Sequence, residues 1–516
     1  MRLFFVSTGS AIKIYHTLSQ MVCDETKCEM ISFSVSDKNF SQTYLDQFGP
    51  IDVNGEVIKE WEIVQKGRIR RPSPKEISYW EDKLGIPSFW PAIVADRRTY
   101  MGRLCKTRQD YKPYLSFSEM QGIVVEAAET YWNAFKRLKP QVVVGFAPST
   151  FEALIIYWVS RAQGIPYLTM RSTKIGNYVK FGVDPLEKNL DSIQLKYQDY
   201  YQGDETAYLE KAEDYFNEAI TKGLEYEGGL VQKRGPSFFQ TLGEFILHAP
   251  WSLYRDARDK ILGSDFDTHR PPILATTWEL TFGKYLRKRA SHNAMKPATI
   301  HLSSFSQNEV PYYFYPLHAE PEIATSVSAR YHMNQIEVIR NIAQSLPMGA
   351  VLVVKEHPRS WGWRKSGYYK KLAEIPNVRF VLTDTPTHKI ISHAEAVIIL
   401  VGFVGLEAAF QKVPVIALEN SIISLLPDKM VRVVSNIETL PLEIISLPKE
   451  YQWNQKALIS LIAAVMHESV PIDLWSTLLG KGIRKRGTGT EENARNEKQQ
   501  YQELKNYFLE KVANLI

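Results

Sequence analysis

Three short polar clusters in the C-terminal half of the chain have side chains that suit a phosphorylated ligand. The clusters comprise Glu320, Pro321 and Glu322; His357 and Pro358; and Gly402, Gly405 and Glu407. His357 can donate a hydrogen bond to a phosphate, or a charge when protonated, and Pro358 fixes the turn that orients it. Gly402 and Gly405 allow close approach of a backbone whose N–H groups open a helix and favour an anion. Glu407, in the first turn of that helix, could accept hydrogen bonds from both hydroxyls of a ribose.

Each cluster also has an ordinary structural interpretation. A His-Pro pair usually forms a turn, a Glu-Pro-Glu triplet usually begins a helix, and a Gly-x-x-Gly-x-Glu segment is common at strand–helix junctions. Their position favours a shared site, because apolar runs at 312–317, 350–355 and 396–401 directly precede the three clusters and predict buried strands. Ligands of open α/β sheets bind at the carboxyl ends of the strands, so we expect the clusters along one edge.

Strand and helix patterns alternate through both halves of the chain. The second half adds predicted strands at 378–382 and 414–418 and predicted helices at 331–346, 367–374, 387–392 and 405–411. The first half has predicted strands at 2–6, 30–35, 141–146 and 167–170, with a helix at 151–163. Such alternation is typical of parallel sheets covered by helices. The segment 197–262 has a helical pattern instead.

The predicted fold class is therefore α/β, with two Rossmann-type domains that face a cleft, a helical insert and a C-terminal helical tail. This is the plan of the GT-B glycosyltransferases. The predicted divisions are 1–195 for an acceptor-side α/β domain, 196–295 for the insert, 296–450 for a nucleotide-sugar-binding α/β domain, and 451–516 for C-terminal helices with a basic linker. A length of 516 residues agrees with more than one domain.

Composition excludes several other classes of protein. A net charge of +5 from 62 basic and 57 acidic residues argues against a nucleic-acid partner held by bulk charge. The three cysteines, Cys23, Cys28 and Cys105, are too few for a disulfide scaffold or a cysteine zinc site, and we expect reduced thiols. The sequence has neither a signal-peptide pattern nor an apolar run long enough to span a membrane, so we predict a cytoplasmic location.

The three clusters resemble the motifs of the capsule polysaccharide biosynthesis family, which includes the bacterial β-Kdo transferases. The relevant segments are YPLHAEPE, VVKEHP and VGFVGLEAA, over about 310–420. The resemblance implies that a Gln-Pro-Glu motif and a His-Pro motif hold the cytidine nucleotide of CMP-Kdo. Glu320 replaces the Gln of the first motif, whereas His357 and Pro358 match the second. The usual Gly-Lys-Pro that follows is Lys412, Val413 and Pro414 here.

The first half departs from the family at the position of an acidic Glu-Asp-Gly stretch. The sequence there is MRSTK, from Met170 to Lys174, with no acid. The remaining candidates for a catalytic base or nucleophile are Glu152, at the start of a helix, and Asp184, in a loop before a proline. Both also have structural explanations, as a helix-dipole partner and as a turn residue.

The predicted function is a metal-independent glycosyltransferase that uses a nucleotide-activated sugar, with a CMP-linked donor favoured and no cofactor. Metal use is disfavoured because the three polar clusters contain no Asp-x-Asp pair. Two alternatives remain open: a CDP-glycerol type of polyol-phosphate transferase, and a non-catalytic GT-B scaffold that binds a nucleotide or glycan.

The predicted acceptor is a glycan or a lipid-linked molecule. Arginines of the first domain could meet its acidic groups, namely Arg68, Arg70, Arg71, Arg97, Arg98 and Arg171. Peripheral contact with the inner membrane is possible through the aromatic residues of 238–262 or through a basic patch at Lys481, Arg484, Lys485 and Arg486. Ordinary surface charge is the favoured explanation of each arginine, and a solvated linker explains the basic patch equally well.

Overall fold

The structure is a computed structural model. It describes residues 1–100, 104, 109, 113–184, 190–224, 237–261, 272–301, 310–320, 322–474, 478–479 and 490–516. Cys105, Pro321 and the predicted basic patch at 481–486 therefore lie outside the described residues.

Thirteen strands are described. They are β1 Arg2–Thr8, β2 Met30–Ser36, β3 Val57–Lys59, β4 Val142–Phe146, β5 Tyr167–Ser172, β6 Tyr178–Gly182, β7 Tyr312–Pro316, β8 Val351–Lys355, β9 Val378–Phe380, β10 Val397–Ile399, β11 Val415–Ala417, β12 Val431–Val433 and β13 Val470–Pro471.

Twenty α-helices are described, besides short 3₁₀ and π turns. They are α1 Ala11–Thr26, α2 Lys38–Phe48, α3 Glu60–Ile69, α4 Pro74–Leu84, α5 Trp90–Ala95, α6 Arg97–Tyr100, α7 Phe117–Leu138, α8 Phe151–Ala162, α9 Asp191–Gln202, α10 Leu209–Lys222, α11 Phe238–Ile261, α12 Ile273–Leu280, α13 Phe282–Met295, α14 Gln335–Ser345, α15 Ser366–Ala373, α16 Thr387–Ile391, α17 Phe403–Phe410, α18 Leu440–Glu450, α19 Gln455–His467 and α20 Thr490–Ala513.

The strands form two sheets, one in each half of the chain. The first has the order β13-β6-β5-β4-β1-β2-β3, and the second has the order β12-β11-β10-β7-β8-β9. The second sheet is parallel throughout, and its order is the Rossmann order, with a switch point between β7 and β10. In the first sheet, the five adjacent strands β5-β4-β1-β2-β3 follow the same order. The predicted α/β class with two Rossmann-type units is confirmed.

Continuous apolar runs explain why these segments become central strands. The side chains of Val142, Val143 and Val144 are fully buried, as are those of Leu352 and Val353 in the second sheet. A strand with helices on both faces must be apolar on both faces, so it loses the alternation typical of half-exposed strands. This pattern identified β4, β8 and β10 in the sequence.

The end of the chain returns to the first sheet. β13 pairs antiparallel with β6, and α20 packs beside α1. The ring of Phe508 on α20 lies 5.5 Å from that of Phe181 and 6.3 Å from that of Phe5, centroid to centroid. The strand pairing and these buried aromatic contacts tie β13 and α20 to the N-terminal unit.

The predicted helical insert consists of two separate packing units. α9 and α10 pack on α19, where the Tyr200 hydroxyl lies 2.9 Å from His467 Nδ1. α11, α12 and α13 pack on one another, and α13 packs on α15 of the second unit. Within the described residues, no helix is long and apolar enough to cross a membrane.

Two of the three cysteines form a disulfide, Cys23 with Cys28. α1 ends at Thr26, and the left-handed conformation of Lys27 turns the chain back over the last helical turn. The Cα atoms of the two cysteines are thereby 4.9 Å apart, within the range for a disulfide. The expectation of reduced thiols is wrong for this pair.

Candidate functional site

The carboxyl ends of β7, β8 and β10 lie side by side and carry the three polar clusters found in the sequence. β7 is hydrogen-bonded to β8 on one side and to β10 on the other, so it stands at the switch point of the sheet. Loops that follow strands on opposite sides of a switch point diverge and leave a crevice between them. We call the residues His318, His357, Gly402 and Glu407 along this crevice the switch-point rim.

Gly402 and His318 face each other across the switch point. Gly402 has φ of 128°, and a Cβ built on it would lie 3.5 Å from His318 Cε1. A glycine is required here because of the positive φ, and it leaves the N-terminus of α17 open beside the histidine ring. His318 was not singled out from the sequence, although it directly follows the β7 run.

Gly405 has a different role from the predicted approach to a ligand. A Cβ on it would lie 2.5 Å from Ile399 Cδ1 and 2.6 Å from Ile423 Cδ1, so the position must be glycine for α17 to pack on the sheet. Close helix–sheet packing is one of the known uses of glycine in Rossmann loops. Gly405 therefore supports the site from beneath, while Gly402 borders it.

Both rim histidines are held as neutral imidazoles. Burial, aided by Lys174, His357 and Arg364, lowers the pKa of His318 to about 3. Burial, aided by nearby arginines and Lys355, lowers the pKa of His357 to about 4. At neutral pH each ring therefore donates one hydrogen bond and carries no charge.

The ring orientations leave both Nε2 atoms for another group. His357 Nδ1 accepts a hydrogen bond from the Arg359 amide at 3.2 Å, so the neutral ring carries its proton on Nε2. His318 Nε2 is buried, and the part of the chain that the structure describes supplies no hydrogen-bond partner for it. A buried polar atom without a partner is costly, which indicates a place for a ligand or water.

Glu320 supports the rim from inside the protein. Its side chain is fully buried and accepts hydrogen bonds from Gln335 and, at 2.9 Å, from Gln109 Nε2 of the first half. Arg364 Nη2 lies 3.6 Å from the same carboxylate. The Glu320 carboxylate, which was predicted to contact a nucleotide, is therefore engaged by side chains of this chain instead.

Arg364 is connected by hydrogen bonds to the backbone at both histidines. It is fully buried and pairs with Glu356 as well as Glu320, and its Nη2 donates to the carbonyl of His318 at 2.6 Å. Glu356 in turn accepts from the amide of His357 at 2.6 Å. One cation thus links the segments that follow β7 and β8, on one side of the crevice, through charge-assisted hydrogen bonds.

Two further members of the predicted clusters lie at the outer edge. Glu322 is partly exposed and pairs with Arg359 at 3.5 Å. Pro358 opens a short turn, Pro358–Ser360, immediately after His357, as predicted for a residue that fixes a turn. Pro321 lies between Glu320 and Glu322 but outside the described residues.

Glu407, on α17, has a raised pKa. Burial raises its pKa to about 7, and Lys355 opposes part of that increase. Lys355 itself is buried, and its Nζ donates to Thr387 Oγ1 at 2.8 Å. A carboxyl group with a raised pKa in a crevice is a frequent property of functional sites.

The structure does not bring the two predicted catalytic carboxylates to this rim. Glu152 is 1% exposed within the first unit, where it accepts hydrogen bonds from Ser34 and, at 3.1 Å, from the Tyr131 hydroxyl. Burial raises the pKa of Glu152. Asp184 follows β6, which runs antiparallel to β5 and carries the chain back toward the amino ends of the strands, away from the carboxyl edge.

Three of the six predicted acceptor-binding arginines pair with carboxylates of this chain. Arg68 bonds to Glu119 at 2.7 Å, and Arg98 is buried with Asp96 and Glu60. Arg70 pairs with three glutamates, namely Glu76, Glu126 and Glu129. Arg71 is exposed and Arg171 half-buried, whereas the side chain of Arg97 lies outside the described ones.

The first unit contributes a different cation to the crevice. Lys174 lies in the turn after β5, with φ of 64° and an exposed side chain, and it is close enough to help lower the pKa of His318. The MRSTK stretch ends in this lysine, at the place where the resembled family carries an acid. The lysine itself is the sequence signal for this cation, since the MRSTK stretch ends in a basic residue as well as lacking an acid.

The two Rossmann-type units with a crevice at the second switch point define the GT-B class of fold. Residues 256–425 match the family model described as capsule polysaccharide biosynthesis protein. That matched region includes all three clusters, so this part of the chain is similar to the capsule polysaccharide biosynthesis family. Among curated proteins, none matches the sequence.

Similar solved structures include a KpsC from Thermosulfurimonas dismutans, described as a beta Kdo 2,4 transferase. It is 14% identical, with 66% of this chain and 88% of that chain covered and a TM-score of 0.29. The UDP-GlcNAc 2-epimerase of Neisseria meningitidis is 12% identical, with 91% and 99% covered and a TM-score of 0.27. The glycotransferase of kitacinnamycin is 9% identical, with 97% and 98% covered and a TM-score of 0.24. None of these similarities identifies the substrate of this chain.

Proposed function

We propose that this chain is a glycosyltransferase that transfers a sugar from a nucleotide donor to a glycan or lipid-linked acceptor during synthesis of a capsule or other surface polysaccharide. The observation that carries the proposal is the pair of neutral histidines at the switch point. His357 carries its proton on Nε2, and His318, whose Nε2 has no hydrogen-bond partner among the described residues, lies beside Gly402. The family match of 256–425 supports the polysaccharide context.

The donor phosphate in this proposal lies between the two imidazoles and the N-terminus of α17. When the bond between the sugar and the phosphate oxygen breaks, its electron pair remains on the phosphate. His357 Nε2–H and the amides of α17 donate hydrogen bonds to that developing charge, a term that is usually large in enzyme catalysis. Lys174 adds a positive charge from the opposite unit. These groups supply the stabilisation that a metal provides elsewhere, so the proposed mechanism is metal-independent.

A CMP-linked donor is favoured over other nucleotides because His357 and Pro358 resemble the His-Pro motif of the capsule polysaccharide biosynthesis family. Glu407 is proposed to accept hydrogen bonds from the ribose hydroxyls, since it stands in α17 beyond the phosphate position. Glu320 is proposed to position the rim through Arg364 and Gln335. Glu322 and Pro358 are proposed to border the nucleotide at the outer edge.

As the acceptor oxygen bonds to the sugar, its hydroxyl proton passes to solvent water in this proposal, and the departing phosphate leaves as an anion. Glu152 and Asp184 are not included in this step, because one is buried in the first unit and the other lies at the far end of its sheet. The same observation favours a second candidate function. A GT-B scaffold that binds nucleotide or glycan without transfer would need the rim but no base.

A thermal-shift series with CMP, CDP, UMP, UDP and GDP tests the proposal. A ligand at a hundred times its Kd should stabilise the native state by about 2.7 kcal/mol. We expect the cytidine nucleotides to give the largest increase in melting temperature. Release of CMP from a CMP-sugar by the pure protein would then separate an enzyme from a scaffold, and release of CMP from CDP-glycerol would indicate the polyol-phosphate alternative.

A further inference from the structure

The segment that follows β7 is held by the first unit at two places. Near its start, Gln109, which lies between α6 and α7 of the first unit, donates from Nε2 to the Glu320 carboxylate at 2.9 Å and to the Glu320 carbonyl at 3.0 Å. Further along, the π-helical turn Ala324–Ser328 packs on α5, and Val327 is buried in the apolar core of the first unit. One polar and one apolar contact therefore fix this segment to the opposite unit.

Gln109 also contacts the segment that follows β8. Its backbone amide donates to the carbonyl of Trp363 at 3.1 Å, next to Arg364. Because Gln109 is only 3% exposed, its hydrogen bonds form away from competing solvent water. A single residue of the first unit thus connects the two segments that carry His318 and His357.

The Glu320 carboxylate connects Gln109 to the backbone of His318. This carboxylate accepts from Gln335 and lies 3.6 Å from Arg364 Nη2. Gln335 Oε1 accepts from the His318 amide at 2.8 Å, and Arg364 Nη2 donates to the His318 carbonyl at 2.6 Å. Since hydrogen bonds are short and directional, a shift of the carboxylate moves these two side chains and, with them, the peptide groups of the histidine.

Burial makes this connection sensitive to small displacements. Glu320 and Arg364 are fully buried, and Gln335 is 1% exposed. A buried polar group that loses a hydrogen bond has no solvent water to replace the lost partner, so the network favours one arrangement. A glutamine that only joined the two units could bond to any peptide group at their contact. The side chain of Gln109 instead bonds to the carboxylate at the centre of the network.

We propose that Gln109 is a positioning residue for the switch-point rim. Through Glu320 it holds His318 in place beside Gly402, so the phosphate site is complete only while the first unit is in contact with the second. Gln109 acts through another residue and is therefore not itself catalytic. The inference rests on the proposed function where it concerns the nucleotide, whereas the placement of the His318 ring is measurable without any ligand.

NMR of the full chain, labelled with carbon-13 at histidine Cε1, tests the placement of the ring. The His318 signal is identified by its absence from the spectrum of His318→Gln. Gln109→Met removes the amide donor, keeps a side chain of similar length, and retains the backbone bond to Trp363. We expect the His318 signal to shift by more than its linewidth in Gln109→Met, because the ring moves relative to the amides that open α17.

Calorimetric titration of CMP is the second readout, and Gln141→Met is the matched control. We expect Gln109→Met to bind CMP about tenfold more weakly, as is usual for residues coupled through one hydrogen-bond network. Gln141 Oε1 accepts from the Arg2 amide at 2.9 Å at the amino edge of the first sheet, so the control also loses a hydrogen bond. The control should keep the His318 signal and the CMP affinity of the unchanged protein. An unmoved signal in Gln109→Met, or the same shift in both variants, would overturn the proposal.

The two readouts separate this proposal from the proposed function. If the unchanged protein binds no nucleotide, the proposed function fails, and the His318 signal alone decides the role of Gln109. If the signal moves while Gln109→Met binds CMP normally, Gln109 does not position the phosphate site and the proposal falls. If Gln109→Met does not fold, Gln109→Asn replaces it, because its side chain is one methylene shorter and withdraws the donor from Glu320. The same two readouts then decide.

Discussion

The ionised carboxylate of Glu407 is expected to destabilise the folded state above about pH 7, although this is the form that would accept hydrogen bonds from a ribose. Its pKa is raised by burial from 4.5 to about 7. A folded-state pKa above the unfolded one means that folding favours the protonated carboxyl. The stabilisation from Glu407 is therefore fully present below pH 4.5 and is lost as the pH rises through 7.

The size of this effect follows from the shift. About 2.5 pKa units at 1.36 kcal/mol each correspond to roughly 3 kcal/mol between the two limits of pH. Glu407→Gln keeps the shape of the side chain and removes its titration. At pH 8 we expect the variant to be more stable than the unchanged protein by roughly 3 kcal/mol, and at pH 5 by less than about 1 kcal/mol.

The assay is the melting temperature of both proteins at pH 5 and pH 8, followed through the unfolding of the second unit. For a unit of that size, 1 kcal/mol corresponds to about 2–4 °C, so the gain at pH 8 should be readily measured. Glu395→Gln, at an exposed glutamate of the same sheet, is the control and should show no such gain. A Glu407→Gln protein with the same stability change at both pH values would refute the reasoning. Weaker CMP binding in the same variant is expected if Glu407 holds the ribose.

Three other predictions follow from the site. Gly402→Ala should weaken CMP binding at least tenfold in calorimetry, because a Cβ forces an unfavourable φ and occupies the space beside His318; unchanged affinity would exclude the crevice as the phosphate position. Arg364→Met should lower the free energy of unfolding by about 3–5 kcal/mol in urea, since it leaves Glu320 and Glu356 buried without their cation; a loss below about 1 kcal/mol would contradict the network. Glu152→Gln should change the transfer rate by less than about tenfold, and a larger loss would return Glu152 to the catalytic candidates.

The strands of the second unit were predictable because burial on both faces requires apolar residues on both faces. The runs at 350–355 and 396–401 coincide with β8 and β10 within a few residues. Once the strands are located in the sequence, their carboxyl ends are located too. These ends define the edge of the sheet on which the polar clusters lie. This is why His357, Gly402 and Glu407 could be selected from the sequence alone.

The supporting contacts were not predictable, because their partners are distant in sequence. Gln109 bonds to Glu320 across 211 positions, so no local pattern shows that this glutamate is buried and satisfied. The antiparallel turn from β5 to β6 reverses the direction of Asp184, and local propensity does not specify that reversal. His318 is a different case, because the sequence places it directly after the β7 run. Only the structure shows that it is buried and that its Nε2 has no hydrogen-bond partner among the described residues.

Calorimetric titration of CMP into the unchanged protein, His357→Ala and His393→Ala tests the central claim most directly. His393 is exposed on the same unit and serves as the matched control. We predict that the unchanged protein and His393→Ala bind CMP equally and more tightly than UDP or GDP. His357→Ala should lose about tenfold to a hundredfold in affinity, the value of a hydrogen bond to a charged group, with little change in melting temperature. Binding of UDP without CMP, or normal binding of CMP by His357→Ala, would contradict the account.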